Sequence, residues 1–292
     1  MKLAIIANPA SGRGRAYRIV KNHFQRCHPA GWETELFTTS GPGHAGLLAR
    51  ELLNTPPDLL AVCGGDGTLN EVASAVPAPP FPVAILPGGT ANVVARELDI
   101  PLDPITALGV ALGGKIRRVD LGSLGQEGRN FVFVAGIGFD AYVAAGVRPA
   151  LKARIGTAAY AAAIVECLRR YSFPEFDVSV QGRTFRATSC LVCNARSYGG
   201  GLLFCPHASM TDGFVDTLVI EGERRLALAA FLLRAWLGIA QSGPWIQRLR
   251  SDSVRIEGGV EVPTQVDGEP AGRLPIEITV LPRTFPLALR AK

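Results

Sequence analysis

With 292 residues, 48% of them hydrophobic and 19% charged, the chain has the balance of a folded protein with enough apolar material for two domains. Its formal charge of +5 and pI near 9.0 suit an anionic partner such as a nucleotide, a phosphate or an acidic membrane surface. No block of Lys and Arg reaches the density of a nucleic-acid arm, which excludes that partner.

MKLAIIANPASG is broken by Pro and Gly too early to be a signal peptide. KLAIIA (2–7) predicts a strand and RAYRIVKNHFQRC an amphipathic helix. ETELFTT (33–39) and HAGLLARELL repeat the pair, as do DLLAVC (58–63) with TLNEVASAV, and FPVAILP (81–87) with ANVVAREL. Continuously apolar strands alternating with helices predict a parallel sheet covered on both faces. Beyond about residue 118 the pattern changes. DLGSLGQEGRNFVFVAGIGFDAYV predicts a hairpin-like pair of strands, and ALKARIGTAAYAAAIVECLRRY (150–171) a helix. FDVSVQGRTFRATSCLVCNA, GFVDTLVIEG, SVRIEGGVEVPTQVDGE and LPIEITVLP then predict strands separated by turns. Such a run indicates a second domain that is an antiparallel sandwich or mixed sheet. The most apolar segment, LALAAFLLRAWLGIA (226–240), carries Arg234 and falls short of the roughly 20 residues a spanning helix needs. A cytoplasmic protein is expected. The six cysteines have no second ligand pair to build a zinc site and are expected to be reduced, buried thiols. The four histidines show no ligand spacing.

In a parallel α/β sheet, ligands bind beyond the carboxyl ends of the strands. Four loops reach that edge: NPASG, TTSGPG, GGDGT and PGGTAN. Glycine permits close backbone approach, and a following helix N-terminus favours an anion, so the edge reads as a phosphate cradle. CGGDGTLNEV (63–72) has neither the Lys of a P-loop nor the G-x-G-x-x-G spacing of a dinucleotide fold. Asp66 among the glycines makes sense if Mg²⁺ lies between it and the phosphates. The alternative is a tight turn with a helix cap.

CGGDGTLNEV and LPGGTANVVAREL closely resemble the signature of the diacylglycerol kinase catalytic domain superfamily, in particular its soluble bacterial members. The resemblance runs nearly end to end, through NPASGRG (8–14), TTSGPGHA, VAGIGFDAYV (134–143), NARSYGGGLLFCPHASMTDGFVDTLVI (194–220) and QVDGEP (265–270). It implies an α/β domain of the 6-phosphofructokinase and NAD-kinase type at 1–120, rejoined by about 282–292, and a β-sandwich-like lipid-substrate domain at 121–281. It implies a kinase moving the γ-phosphoryl of ATP to a lipid hydroxyl, first of all that of diacylglycerol. Carried over by motif, Asn8, Pro9, Ala10, Ser11, Gly12, Thr39, Gly64, Gly65, Asp66, Gly67, Thr68, Leu69, Asn70 and Thr90 would line the nucleotide site. In VDGEP the resemblance implies Glu269 as the proton acceptor, with Asp267 as its competitor. It also implies a structural Mg²⁺ on the second domain, held by Asp212 and by main-chain oxygens of Ser209 and Phe214. Positions 209 and 214 often carry Leu in the family, and an ordinary turn at Asp212-Gly213 is the competing reading.

Gly199 to Gly201 would either shape a lipid-side wall or permit a bulge. A basic helix bearing Arg148, Lys152, Arg154, Arg169 and Arg170 would either meet anionic headgroups or form a solvated face. Expected partners are thus a lipid at the membrane surface, with peripheral contact at its inner face, and a second copy in a homodimer. The rival activities are phosphorylation of another lipid alcohol such as a sphingoid base or phosphatidylglycerol, NAD kinase, and a nucleotide-binding regulator without catalysis.

Overall fold

The computed structural model describes residues 1–125, 128–146, 166–198, 201–222, 225–239 and 243–290. Arg148, Lys152, Arg154, Gly199 and Gly200 lie outside those residues. The chain divides into two compact units, 1–119 with 283–292, and 120–282.

The first unit runs β1 (Lys2–Ala7), α1 (Arg15–Phe24), β2 (Glu33–Thr38), α2 (His44–Glu51), β3 (Leu59–Gly64), α3 (Asp66–Ala75), β4 (Val83–Pro87), α4 (Val93–Glu97) and α5 (Pro104–Leu112). The strands pair in parallel in the order β2-β1-β3-β4. Every residue of β3 and β4 is buried, as a sheet sandwiched between helices requires. From β1 the chain steps outward to β2, then returns across β1 to β3 and continues to β4. Right-handed crossovers therefore put α1 on one face and α2 with α3 on the other. The direction reverses between β1 and β3, and the loops leaving those two strands, NPASG and GGDG, meet at this switch point. Helix α5 was not anticipated from the sequence. Its signal is Asp103-Pro104-Ile105-Thr106, where Asp103 Oδ2 accepts the Thr106 N–H at 2.8 Å and proline occupies the first turn.

β5 (Lys115–Leu124) leads from the first unit into the second. There follow β6 (Arg129–Phe131), β7 (Val134–Gly138), α6 (Phe139–Gly146), β8 (Phe176–Val180), β9 (Arg183–Ala187), β10 (Ser189–Cys193), the short β11 (Ser197–Tyr198) and β12 (Leu202–Leu203), and β13 (Val215–Ile220). Then come α7 (Arg225–Trp236), β14 (Ile246–Ser251), β15 (Ser253–Gly258), β16 (Pro263–Val266), β17 (Glu269–Arg273) and β18 (Ile276–Leu289). One antiparallel sheet has the order β14-β13-β10-β7-β16-β17. The other joins β9, β8, β15 and the first half of β18, with β5 and β6 beside them. Side chains of both sheets fill one core, including Phe131, Ile137, Phe176, Val192, Val219, Ile256 and Ile278. In β8 burial alternates residue by residue, the signature of one face turned inward. The end of β18 returns to the first unit, where Leu287 pairs with Val83 in parallel.

The segment expected as a hairpin, 120–143, is instead three strands and a helix. Gly138, at φ +83°, ends β7 in a conformation that favours glycine, and FDAYV turns into α6. Of the helix expected at 150–171, residues 166–171 are described; 166–170 are helical and Tyr171 is not, and Arg170 pairs with Glu166 one turn away at 3.2 Å. Among the described residues no helix is long and apolar enough to cross a membrane.

Candidate active site

The glycine-rich loops of the first unit are fastened to one another. The Asn8 side chain accepts the Ala10 N–H at 2.9 Å and donates to Thr68 Oγ1 at 2.9 Å, which ties the β1 loop to α3. Ser11 Oγ donates to the Gly88 carbonyl at 3.2 Å, and the Gly88 N–H donates to the Gly64 carbonyl at 2.7 Å. Asn92, at φ +49°, clamps Gly89 from both sides, accepting its N–H at 2.8 Å and donating to its carbonyl at 3.0 Å. A Cβ on Gly12 would overlap the Gly88 carbonyl, and one on Gly89 would come 2.6 Å from the Gly65 Cα. These glycines allow three loops to touch. Gly67 differs: a Cβ there would meet nothing, so this is the place where the loop's backbone faces open space. It sits in the first turn of α3, a helix start with no side-chain cap. Orphan amides and the positive end of the helix dipole there favour an anion.

The other expected nucleotide residues divide by environment. Ala10 and Thr90 are exposed and Pro9 half-buried, while Thr39 is buried with its N–H on the Ala7 carbonyl at 2.9 Å. Leu69 faces the core, and the buried Asn70 leaves Oδ1 without a hydrogen-bond partner among the described residues. Cys63, at the end of β3, is a thiol that burial pushes up to about 12, out of range as a nucleophile. Two residues given no role from the sequence hold the second loop. His44 Nδ1 accepts the Ser40 N–H at 2.9 Å, and Glu71 Oε2 accepts the Ala45 N–H at 3.1 Å.

Asp66 points into the chain. Its Oδ1 accepts the Val94 N–H at 3.3 Å, at the start of α4. Burial raises its carboxyl above the ordinary value, and backbone amides of Val93, Val94, Asp66 and Asn92 pull the other way. In this arrangement Asp66 acts as a cap on the start of α4.

In the second unit, Asp267 and Gly268 form a two-residue turn between β16 and β17, with φ of +50° and +89°, as Asp-Gly in a type I′ hairpin requires. The Asp267 carboxylate accepts three backbone N–H groups, from Val132 at 2.7 Å and from Phe133 and Val134 at 3.0 Å. Glu269, two residues on, is exposed and pairs with Arg129 at 3.2 Å. Arg129 also donates to the Pro270 carbonyl at 2.6 Å, which steadies the pair. The competition between these two acids is physically unequal: Asp267 has both oxygens committed to main chain, whereas Glu269 has an oxygen free to meet solvent.

Two protein families cover the chain. Residues 2–124 match the diacylglycerol kinase catalytic domain, and residues 133–289 match the YegS C-terminal NAD kinase beta sandwich-like domain. The chain belongs to the lipid kinases built from these two domains. A protein of Staphylococcus aureus named diacylglycerol kinase is 28% identical over 283 residues, 96% of this chain and 89% of its own length. One of Staphylococcus carnosus with the same name is 28% identical over 93% of this chain and 89% of its own length. A crystal structure from Bacillus anthracis has the same fold at TM-score 0.82, with 24% identity over 99% of this chain and 95% of that one. Another from that organism, described as a diacylglycerol kinase, gives TM-score 0.75 at 22% identity, covering 99% of this chain and 97% of that one.

For this kinase the expected structural Mg²⁺ meets an aspartate that is already paired with an arginine. Asp212 Oδ1 accepts the Phe214 N–H at 3.1 Å, and Oδ2 pairs with Arg250 at 2.6 Å. The Arg250 guanidinium lies 4.7 Å from the centre of the Phe214 ring, and Ser209 shares a 3.3 Å hydrogen bond with Thr211. Asp120 Oδ2 accepts the Gly213 N–H at 2.7 Å and holds the turn from the other side. Arg250 and Arg248 also act on the neighbouring Asp216, so Asp120, Asp212 and Asp216 face two guanidinium groups. With Oδ1 on the Phe214 N–H and Oδ2 on Arg250, Asp212 has no oxygen turned to a cation in this arrangement, and the residues as placed do not fit one. Chelation by EDTA in the absence of nucleotide should therefore leave the thermal midpoint unchanged, while Arg250→Leu should lower it. A wild-type midpoint that drops on chelation and returns with Mg²⁺ would sink the assignment.

Sequence reasoning gave no role to Asp140, the acid within GIGFDA. Its side chain is half-buried, and Gln265 Nε2 donates to its Oδ2 at 2.5 Å, while Gln265 Oε1 accepts the Gly268 N–H at 2.6 Å. A Cβ on Gly136 would collide with both side chains, so that glycine makes the contact possible. Burial pushes the Asp140 carboxyl up to about 6, and only the Gln265 hydrogen bond opposes it. The native state then keeps a proton that the unfolded chain, titrating near 3.8, has released. Stability from this group is full below pH ~4 and lost as pH rises to about 6. Asp140→Asn removes that loss, so the variant should gain on wild type through this window and lead by about 3 kcal/mol above it. Urea midpoints across pH measure the difference, and a gap that does not change with pH would refute it. Asp140 borders an apolar cavity of about 30 Å³ lined also by Val143, Leu191, Phe204 and Phe231.

Proposed function

We propose that the chain is a diacylglycerol kinase, transferring the γ-phosphoryl group of ATP to the free hydroxyl of diacylglycerol to give phosphatidic acid and ADP. The observation that carries this reading is the span of its likeness: relatives named diacylglycerol kinase align over 96% and 93% of the chain, across both matched domains. The uncapped start of α3 and the open backbone at Gly67 support a phosphate-binding role for the GGDGT loop. The divalent cation that accompanies ATP belongs to the co-substrate, with no residue assigned to it. As the lipid oxygen bonds the γ-phosphorus, the bond to the β-phosphate breaks, and Glu269 takes the hydroxyl proton. Its exposed carboxylate and single ion pair favour it over Asp267. The enzyme would work as a peripheral protein at the inner face of the membrane.

The test is transfer of label from γ-labelled ATP with Mg²⁺ to a panel of lipids in mixed micelles, with NAD included as an acceptor. Label in diacylglycerol above all other acceptors is expected. Preference for a sphingoid base or phosphatidylglycerol would keep the kinase and change its substrate. ATP binding with no acceptor labelled would favour a regulator.

A further inference from the structure

We infer that Cys193 and Cys205 are a reversible modification site, at which hydrogen peroxide converts the two thiols into an intramolecular disulfide. All six cysteines carry free thiols. The sequence places Cys190 and Cys193 close together, but on β10 they point to opposite faces. Cys190 is packed with Val192 in the core of the second unit, which leaves Cys193 on the other side of the strand. There the fold supplies a different neighbour. The short strands β11 and β12 pair and turn the chain back, so that the Cys205 N–H reaches the Arg196 carbonyl at 3.1 Å. Cys193 is aligned with Asp216 across the β10–β13 ladder, and the Cys205 thiol donates to the Asp216 carbonyl at 3.9 Å. The Cys193 side chain is hydrogen-bonded to that of Cys205.

The two thiols are not equivalent toward an oxidant. The hydrogen bond to Cys205 and burial hold the Cys193 thiol protonated, well above its ordinary value. Cys205 instead lines a cavity of about 190 Å³ whose walls include His207, Asp216, Arg248 and Arg250. His207 and both arginines are exposed, so the cavity opens to solvent and a molecule as small as peroxide can enter. Cys205 lies outside any helix or strand, and a small shift toward Cys193 breaks no sheet pairing. Losing its proton, the Cys205 sulfur attacks one peroxide oxygen; the O–O bond breaks, water leaves and Cys205 becomes a sulfenic acid. The Cys193 sulfur then attacks the Cys205 sulfur, the S–O bond breaks, and the Cys193 proton departs with the hydroxide as a second water. Two thiols give up two electrons and two protons, which one peroxide takes. A dithiol reductant reverses the change.

The full chain, purified in reduced form, is exposed to hydrogen peroxide, blocked with N-ethylmaleimide and mapped by mass spectrometry without reduction. Loss of two of the six thiols is expected, as one bridge from Cys193 to Cys205 within a single copy, and dithiothreitol should restore both. Cys190→Ala should keep the bridge. In Cys193→Ala the bridge should be absent, and Cys205 should take the sulfenic-acid label dimedone. A thermal melt checks that each variant is folded, and the wild-type map decides the matter where one is not. A folded wild type that keeps all six thiols at doses that oxidise free glutathione would overturn the proposal. So would loss confined to the exposed Cys27, as a bridge between two copies, or a bridge from Cys205 to Cys190. These readouts need neither ATP nor a lipid, so they hold whether or not the kinase reading does.

Discussion

Glu269→Gln is expected to lower kcat by about 10²- to 10⁴-fold with little change in KM for ATP, the range for losing a general base. The amide keeps the size of the side chain and can still accept from Arg129, but it cannot take a proton. Fold should be spared, because the Glu269 side chain is 59% exposed and its ion pair with Arg129 is on the surface. Steady-state kinetics with the lipid identified in the panel, beside a thermal melt, separates the two effects. A Gln variant that retains wild-type kcat would remove Glu269 from the chemistry and return the question to how the hydroxyl proton departs.

The opposite result is expected two residues earlier. Asp267→Ala should destabilise the second unit by about 3 kcal/mol, because three backbone N–H groups lose a charged acceptor at once. The substitution also removes the aspartate that the left-handed turn position tolerates, at φ +50°. A fall in thermal midpoint of about 6 to 12 °C would follow for a unit of this size. Activity should drop along with stability and recover on cooling below the transition. A variant with an unchanged melt and no activity would show that Asp267 belongs to the chemistry, not to the scaffold. The pair of substitutions thus assigns the two acids of VDGE by separate readouts.

Much of the first unit was legible because a parallel sheet leaves a strong local record. KLAIIA, LLAV and VAILP are apolar on both faces, and each is followed by turn residues and a helical stretch. The family and its kinase chemistry were legible for a similar reason: the loops that carry them are contiguous blocks. Helix α6 was misread as strand because FDAYV is too short for periodicity to distinguish the two; Gly138 was the local clue.

What each polar side chain does was decided by the tertiary structure. A carboxylate's role depends on which donors surround it, and those come from far along the chain. Asp66 faces amides 28 residues away, Asp267 faces amides more than 130 residues away, and Asp140 meets Gln265 across 125 residues. Arg250 reaches Asp212 because β13 and β14 pair, aligning Asp216 with Arg250 in register. The sequence by itself determined that this is a two-domain kinase with a glycine-rich phosphate loop. Burial and long-range hydrogen bonding, which no local pattern encodes, decided that several of its conspicuous acids hold loops in place and left Glu269 as the acid open to solvent.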